Sequence, residues 1–173
     1  MSFVPNRDLK RLNPMSNDCE NHFHVSSEEG KRYNEARMNI LFFLIPKSQV
    51  AYVEDTFTLR QTAEKLENHG YSAIPILNKE GRYLATVSEG DLFWYIKEHN
   101  EMNYHLAENT NIMNVPFSRD VKAISFNARM EDLLNLALTQ NFVPVLDDSG
   151  VFMGIITRKA IIEYFVKDGK TIN

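Results

Sequence analysis

A mixed α/β fold, α+β in its layout, is predicted as two β-α-β-β-α units packed about a pseudo-twofold axis. Three observations predict it. The chain repeats itself once, Val50–Ile96 against Val121–Val166. Both copies pass through the same succession of hydrophobic periods. Each copy has only about fifty residues, which makes it marginal alone and favours burial of its apolar faces against its twin. A repeat this long indicates duplication rather than a solenoid. Two units packed face to face leave two related clefts between them, and such clefts are favoured small-ligand sites.

The segments are read as 1–45 for a tail and helix, 46–98 for the first unit and 112–168 for the second. Residues 1 to about 26 hold Pro5 and Pro14 and no sustained period, the pattern of a tail. Ser26-Ser27-Glu28-Glu29 then offers a capping box. Tyr33, Ala36, Ile40, Phe43 and Leu44 follow at helical spacing, and Pro46 ends that helix near Ile45. In each copy a short strand (Val50–Val53; Val121–Ile124) precedes a helix. The first helix carries Leu59, Ala63 and Leu66, the second Met130, Leu133, Leu134 and Ala137. Two strands joined by a glycine-containing loop follow, Asn78-Lys79-Glu80-Gly81 or Asp147-Asp148-Ser149-Gly150, which reads as a hairpin. A final helix begins after Ser88 or Thr157. Lys97 to about Asn111 is read as a polar linker.

Composition narrows the function classes. Of 173 residues 43% are hydrophobic and 24% charged, as in soluble globular proteins. Nineteen basic against 23 acidic side chains give a net charge of −4, which argues against a broad nucleic-acid or anionic-membrane footprint. The strongest apolar run, Ile40–Ile45, is about a third of a bilayer span. No secretory signal is evident, and the single cysteine, Cys19, forms no internal disulfide, so a reducing cytoplasm is expected.

Two motifs bear on chemistry. Val87-Ser88-Glu89-Gly90-Asp91 reads either as an ordinary helix cap or as a phosphate site, with Asp91 accepting both hydroxyls of a ribose. In the second copy Thr157-Arg158-Lys159-Ala160 keeps the hydroxyl, loses the carboxylate and gains two cations. Cations oppose the dipole at a helix start, so an anionic ligand explains them, as do two solvated side chains. Cys19, His22 and His24 are too few and isolated for a metal site. His69, His99 and His105 show no pairing with a nucleophile, and Ser88–Asp91 spans one helical turn rather than a triad, so no catalysis is expected. Phe93, Trp94 and Tyr95 read as core and dimer contacts.

The duplicated pattern of apolar-Pro-Val/Ile, glycine hairpin and Gly/Ala-x-apolar-Ser/Thr-x-x-Asp, whose Asp is Ala160 in the second copy, resembles a tandem pair of CBS (cystathionine-β-synthase) domains over roughly residues 46–168. More narrowly, Leu44-Ile45-Pro46, Gly70-Tyr71-Ser72-Ala73-Ile74-Pro75 and Gly154-Ile155-Ile156-Thr157-Arg158-Lys159 resemble the stand-alone cyclic di-AMP receptors of Gram-positive bacteria. The resemblance implies adenine-nucleotide binding in the clefts, with the base against backbone near the first two strands of a copy and the phosphate at the Ser/Thr motif of the opposite copy. One cleft would combine Thr157, Arg158 and Lys159 with Gln49, Ala51, Tyr52, Tyr71, Ser72, Ala73 and Ile74. The other would combine Ser88 and Asp91 with Lys122, Ala123, Ile124, Asn141, Phe142 and Val143.

Ala160 cannot hold a ribose diol, which disfavours AMP, ADP or ATP in the first of these. A cyclic dinucleotide has no free 2′,3′-diol, and its two phosphodiesters suit Arg158 and Lys159. The resemblance thus implies a non-catalytic sensor of cyclic di-AMP, with no resident cofactor, that forms a homodimer and signals to a protein effector such as a (p)ppGpp synthetase. An AMP/ATP-type energy sensor using Ser88 and Asp91, and an interaction scaffold with vestigial sites, are the alternatives.

Overall fold

A computed structural model describes residues 39–99 and 104–167. The expected helix ending near Ile45 falls mostly on residues 1–38, outside the described part, as do Cys19, His22 and His24. Its visible end differs from expectation. Ile40–Phe43 is a single 3-10 turn that starts afresh at Asn39, whose side-chain oxygen accepts from the Leu41 N–H at 2.9 Å. The next residues run extended as β1 (Ile45–Pro46), where Pro46 sits on an outer strand that does not need its missing N–H.

The first repeat then forms β2 (Val53–Glu54), α1 (Leu59–His69), β3 (Ala73–Leu77), β4 (Tyr83–Ser88) and α2 (Glu89–Glu98). The second forms β5 (Ile124–Ser125), α4 (Met130–Thr139), β6 (Phe142–Leu146), β7 (Phe152–Thr157) and α5 (Arg158–Lys167). The strands expected at Val50–Val53 and Val121–Ile124 are shorter and start later, because 3-10 turns and irregular chain precede them. Helix α1 has the stronger caps: Thr58 and Gln61 form a capping box, and Gly70 closes the other end at φ 62°. Both hairpins are present, β3 antiparallel to β4 and β6 antiparallel to β7, turned at Gly81 (φ 78°) and Gly150 (φ 81°).

The segment read as a polar linker is more ordered than its composition suggests. It contains a short helix, α3 (Tyr104–Asn109), that packs beside α1. Asn111 then donates to the Asp55 carbonyl, and Ile112 is fully buried. These tertiary partners override the low apolar content of the stretch.

Two sheets result, β2-β3-β4 and β1-β7-β6-β5. The leading turns cross over. Ile40 and Phe43, ahead of the first repeat, bury in the core of the second, with Leu133, Val143 and Ile156. Ile112 and Val115, ahead of the second, bury in the core of the first, with Leu66, Ile74 and Val87. A third cluster, Val50, Leu77 and Phe152, lies between the repeats. At about 1.5–3 kcal/mol per fully buried large apolar side chain, these exchanged anchors hold the clefts in register.

Candidate functional site

Of three cavities that the described residues form between the repeats, two lie at the ends of β4 and β7, and each draws residues from both repeats. The larger, about 590 Å³, lies at the start of α2 and is lined by Ser88, Glu89, Asp91, Trp94, Asn141 and Phe142 among others. The smaller, about 320 Å³, lies beside the end of β7 and is lined by Gln49, Ala51, Tyr71, Ser72, Ala73 and Thr157, with Val50, Pro75 and Ile155 as apolar wall. Ser72, Ala73, Asn141 and Phe142 line both, so the clefts meet at residues related by the repeat.

Electrostatics separate them. Among the described residues no charged side chain lines the smaller cleft. The larger carries Glu89, Asp91 and Asp120 against Arg119. Asp91 is only 3% exposed and its carboxylate is already engaged. Oδ2 accepts from the Ser88 N–H (2.8 Å) and hydroxyl (2.7 Å), and Oδ1 accepts from the Ser118 N–H (2.8 Å). Burial pushes this carboxyl up, but the hydrogen bonds from Ser118 and Ser88 outweigh it and leave it below the usual carboxylate range. The expected ribose acceptor is thus a clasp fastening the segment before β5 onto α2. A diol reaching it must displace the protein's own donors.

That clasp has a pH signature. Because the folded-state value is depressed, its stabilisation is present above the unfolded carboxylate pKa and is lost as pH falls through the folded one. Asp91→Asn puts an amide where the Ser88 and Ser118 donors point. It is expected to cost about 1–3 kcal/mol at pH 7 and to flatten the acid loss of stability, as measured by urea unfolding at pH 7 and in the acid limb.

Around the smaller cleft the Thr157 hydroxyl caps α5, accepting from the Ala160 N–H at 3.1 Å. Arg158 begins that helix half-buried. Its backbone N–H donates to the Asn141 carbonyl (2.8 Å) and its Nε to the Gln140 carbonyl (3.2 Å). Its terminal Nη groups pair with no other described residue.

Several expected site residues lie elsewhere. The Lys159 side chain is 82% exposed, points along α5 to Glu163 (3.7 Å) and lines neither cleft. A lysine one residue further round the helix turns its stem to solvent. Tyr52 packs on the inter-repeat cluster beneath Lys47 and Lys65. Ile74, Ile124 and Val143 belong to the cores, since alternate strand residues face away from a cleft. Lys122 and Ala123 line a third cavity of about 380 Å³, where Lys122 pairs with Asp120. Trp94, read from the sequence as a core or dimer contact, lines the larger cleft, as do Ser118, Arg119 and Gln140, which the sequence did not mark. Position 140 has one indirect signal, the two residues missing from the second copy ahead of Val143.

No described helix is long and apolar enough to cross a membrane. No group of three or more His, Cys, Asp or Glu among the described residues is placed to hold a metal.

Duplicated units, exchanged anchors and paired clefts define a CBS-pair module. The chain belongs to the CBS domain family, which it matches over residues 44–98 and 112–167. It is similar to the cyclic di-AMP receptor B of Bacillus subtilis, 23% identical over 131 residues covering 76% of this chain and 88% of that one. An uncharacterized protein of Methanocaldococcus jannaschii is 26% identical over 153 residues, covering 70% and 89%. Among solved structures, CbpB in complex with c-di-AMP superposes with a TM-score of 0.71 at 26% identity, covering 82% of this chain and 94% of that one.

Proposed function

We propose that this CBS pair is a non-catalytic sensor of cyclic di-AMP, that it binds the ligand in the smaller cleft, and that it signals to a protein partner. The observation that carries the reading is the charge contrast between the clefts. No described charged side chain lines the smaller one, the start of α5 adjoins it at Thr157, and Arg158, next in the chain though outside the lining of either cleft, has only the Nε of its guanidinium engaged among the described residues. The larger is acidic, with its diol acceptor occupied. A ligand with two phosphodiesters and no free diol suits the first and is repelled by the second. The relatives named for cyclic di-AMP support the choice of ligand.

Calorimetric titration with cyclic di-AMP, AMP, ADP, ATP and S-adenosylmethionine tests it. Cyclic di-AMP is expected to bind most tightly, and at about 100 times its dissociation constant to add about 2.7 kcal/mol of stability. Tighter binding of AMP or ATP favours the energy-sensor reading, and no binding by any of them favours a scaffold.

The same reading includes a cytoplasmic homodimer. Phe93 (59% exposed) and Ile162 (46%) occupy equivalent positions on α2 and α5, and Trp94 and Val166 extend the exposed apolar surface. A second copy covering these faces removes them from water. Sedimentation of the Phe93→Glu variant is expected to give a monomer where the parent gives a dimer. Ligand binding alters partner engagement only through unequal affinity for two arrangements of the pair. A (p)ppGpp synthetase is the effector to test first.

A further inference from the structure

The two clefts are related by the repeat, and besides their difference in charge two paired positions separate them. Tyr71 in the smaller cleft corresponds to Gln140 in the larger, and Ala51 corresponds to Lys122. In the smaller cleft Tyr71 packs against His69, ring centroids 5.4 Å apart, and the N–H and C=O of Ala51 bond to no other described residue. In the second copy the matching backbone pair, that of Lys122 where the larger cleft adjoins the third cavity, is taken. The Gln140 side-chain oxygen accepts from the Lys122 N–H at 2.8 Å, and its amide nitrogen donates to the Lys122 C=O at 2.9 Å and to the Phe142 C=O at 3.3 Å. A carboxamide bonded to one residue in this way presents an acceptor and an NH2 donor side by side. Adenine presents the same pair through N1 and its 6-amino group.

We infer that Gln140 is a built-in occupant of the base subsite of the larger cleft, an internal mimic of the adenine edge that closes that cleft to adenine nucleotides. The inference rests on the proposed reading only in taking the Ala51 backbone as the base-reading pair of the smaller cleft. The second copy can do this because it is two residues shorter between its leading segment and β6. Helix α1 ends in a left-handed glycine, Gly70, and a further turn of chain, whereas α4 ends directly at an extended Gln140 (φ −115°, ψ 140°). That residue lies close enough to clamp Lys122. One nucleotide per chain is the consequence. A two-fold module with two related clefts acts as a single-site sensor, and the acidic cleft stays closed to mononucleotides, whose diol would also have to share Asp91 with Ser88 and Ser118.

Equilibrium dialysis of labelled AMP, with and without saturating cyclic di-AMP, tests this on the full chain and on the Gln140→Ala and Gln140→Tyr variants. The second variant restores the residue of the first copy. Hydrogen exchange at the Lys122 amide is followed in parallel. Saturating cyclic di-AMP is expected to leave the parent with no AMP bound and each variant with one AMP per chain. Lys122 exchange is expected to be faster in the variants and slowed again by AMP. Two nucleotides on the parent, or no gained site in either folded variant, overturns the inference. If the parent binds no nucleotide at all while the variants bind one AMP, the reading of the smaller cleft fails and that of Gln140 stands.

Discussion

Arg158→Ala is expected to weaken cyclic di-AMP binding about ten- to hundredfold while the unfolding midpoint moves little. A charge-assisted hydrogen bond contributes about 1.5–3 kcal/mol, and each 1.4 kcal/mol is a factor of ten in affinity. The backbone bond from residue 158 to the Asn141 carbonyl survives the substitution, because it uses the main-chain N–H. Only the Nε bond to the Gln140 carbonyl is lost, which costs about 1 kcal/mol of stability. Two controls sharpen the result. Lys159→Ala removes an exposed side chain paired with Glu163 and is expected to leave affinity unchanged. Asp91→Asn is expected to lower stability and leave cyclic di-AMP affinity unchanged, because its carboxylate serves the other cleft. Calorimetry on the three variants decides the matter. Binding that survives Arg158→Ala and is abolished by Asp91→Asn would move the ligand to the acidic cleft.

Gly154→Ala is expected to cost about 2–4 kcal/mol, among the larger effects of any single substitution in the chain. Gly154 sits in β7 at φ +155°, paired with Pro46 while Ile155 pairs with Ile45. A Cβ there would lie far inside contact distance of the Ile45 carbonyl oxygen, which is backbone and cannot step aside without unpairing β1. The equivalent residue of the first copy is Ala85, on β4, which among the described residues has no strand beyond it, and there a methyl group is tolerated. The asymmetry is therefore a record of which copy receives the leading strand. Chemical denaturation is expected to show the loss for Gly154→Ala and a change of only about 1 kcal/mol for Ala85→Gly. Because Ile45 and Ile155 both line the smaller cleft, Gly154→Ala is also expected to weaken ligand binding.

The features legible in the sequence are those set by local chemistry. Gly81 and Gly150 mark the hairpins because each turn needs a positive φ, and Ser88 and Thr157 mark helix starts because their hydroxyls meet free amides. The clefts follow from the duplication, and six lining residues of the smaller one, Gln49, Ala51, Tyr71, Ser72, Ala73 and Thr157, are those that the family resemblance implies. Illegible are the choices made by partners distant in sequence. Asp91 looks like a free ribose acceptor until Ser118, twenty-seven residues on, is folded against it. Gln140 looks like a helix-end residue until Lys122 lies beneath it. Lys159 looks like half of a cationic pair, yet one residue of helical rotation sends it to Glu163 and solvent. The polar stretch before Ile112 hides a helix because its support comes from α1.

The central claim, that one of two related clefts is the nucleotide site, is tested most directly by mapping backbone amide shifts on titrating cyclic di-AMP into the isotope-labelled chain. The largest changes are expected at Ala51, Tyr71, Thr157 and Arg158, with Ser88, Asp91 and Ser118 nearly unmoved. Changes concentrated at Ser88, Asp91 and Ser118, with Ala51 and Thr157 silent, would contradict it.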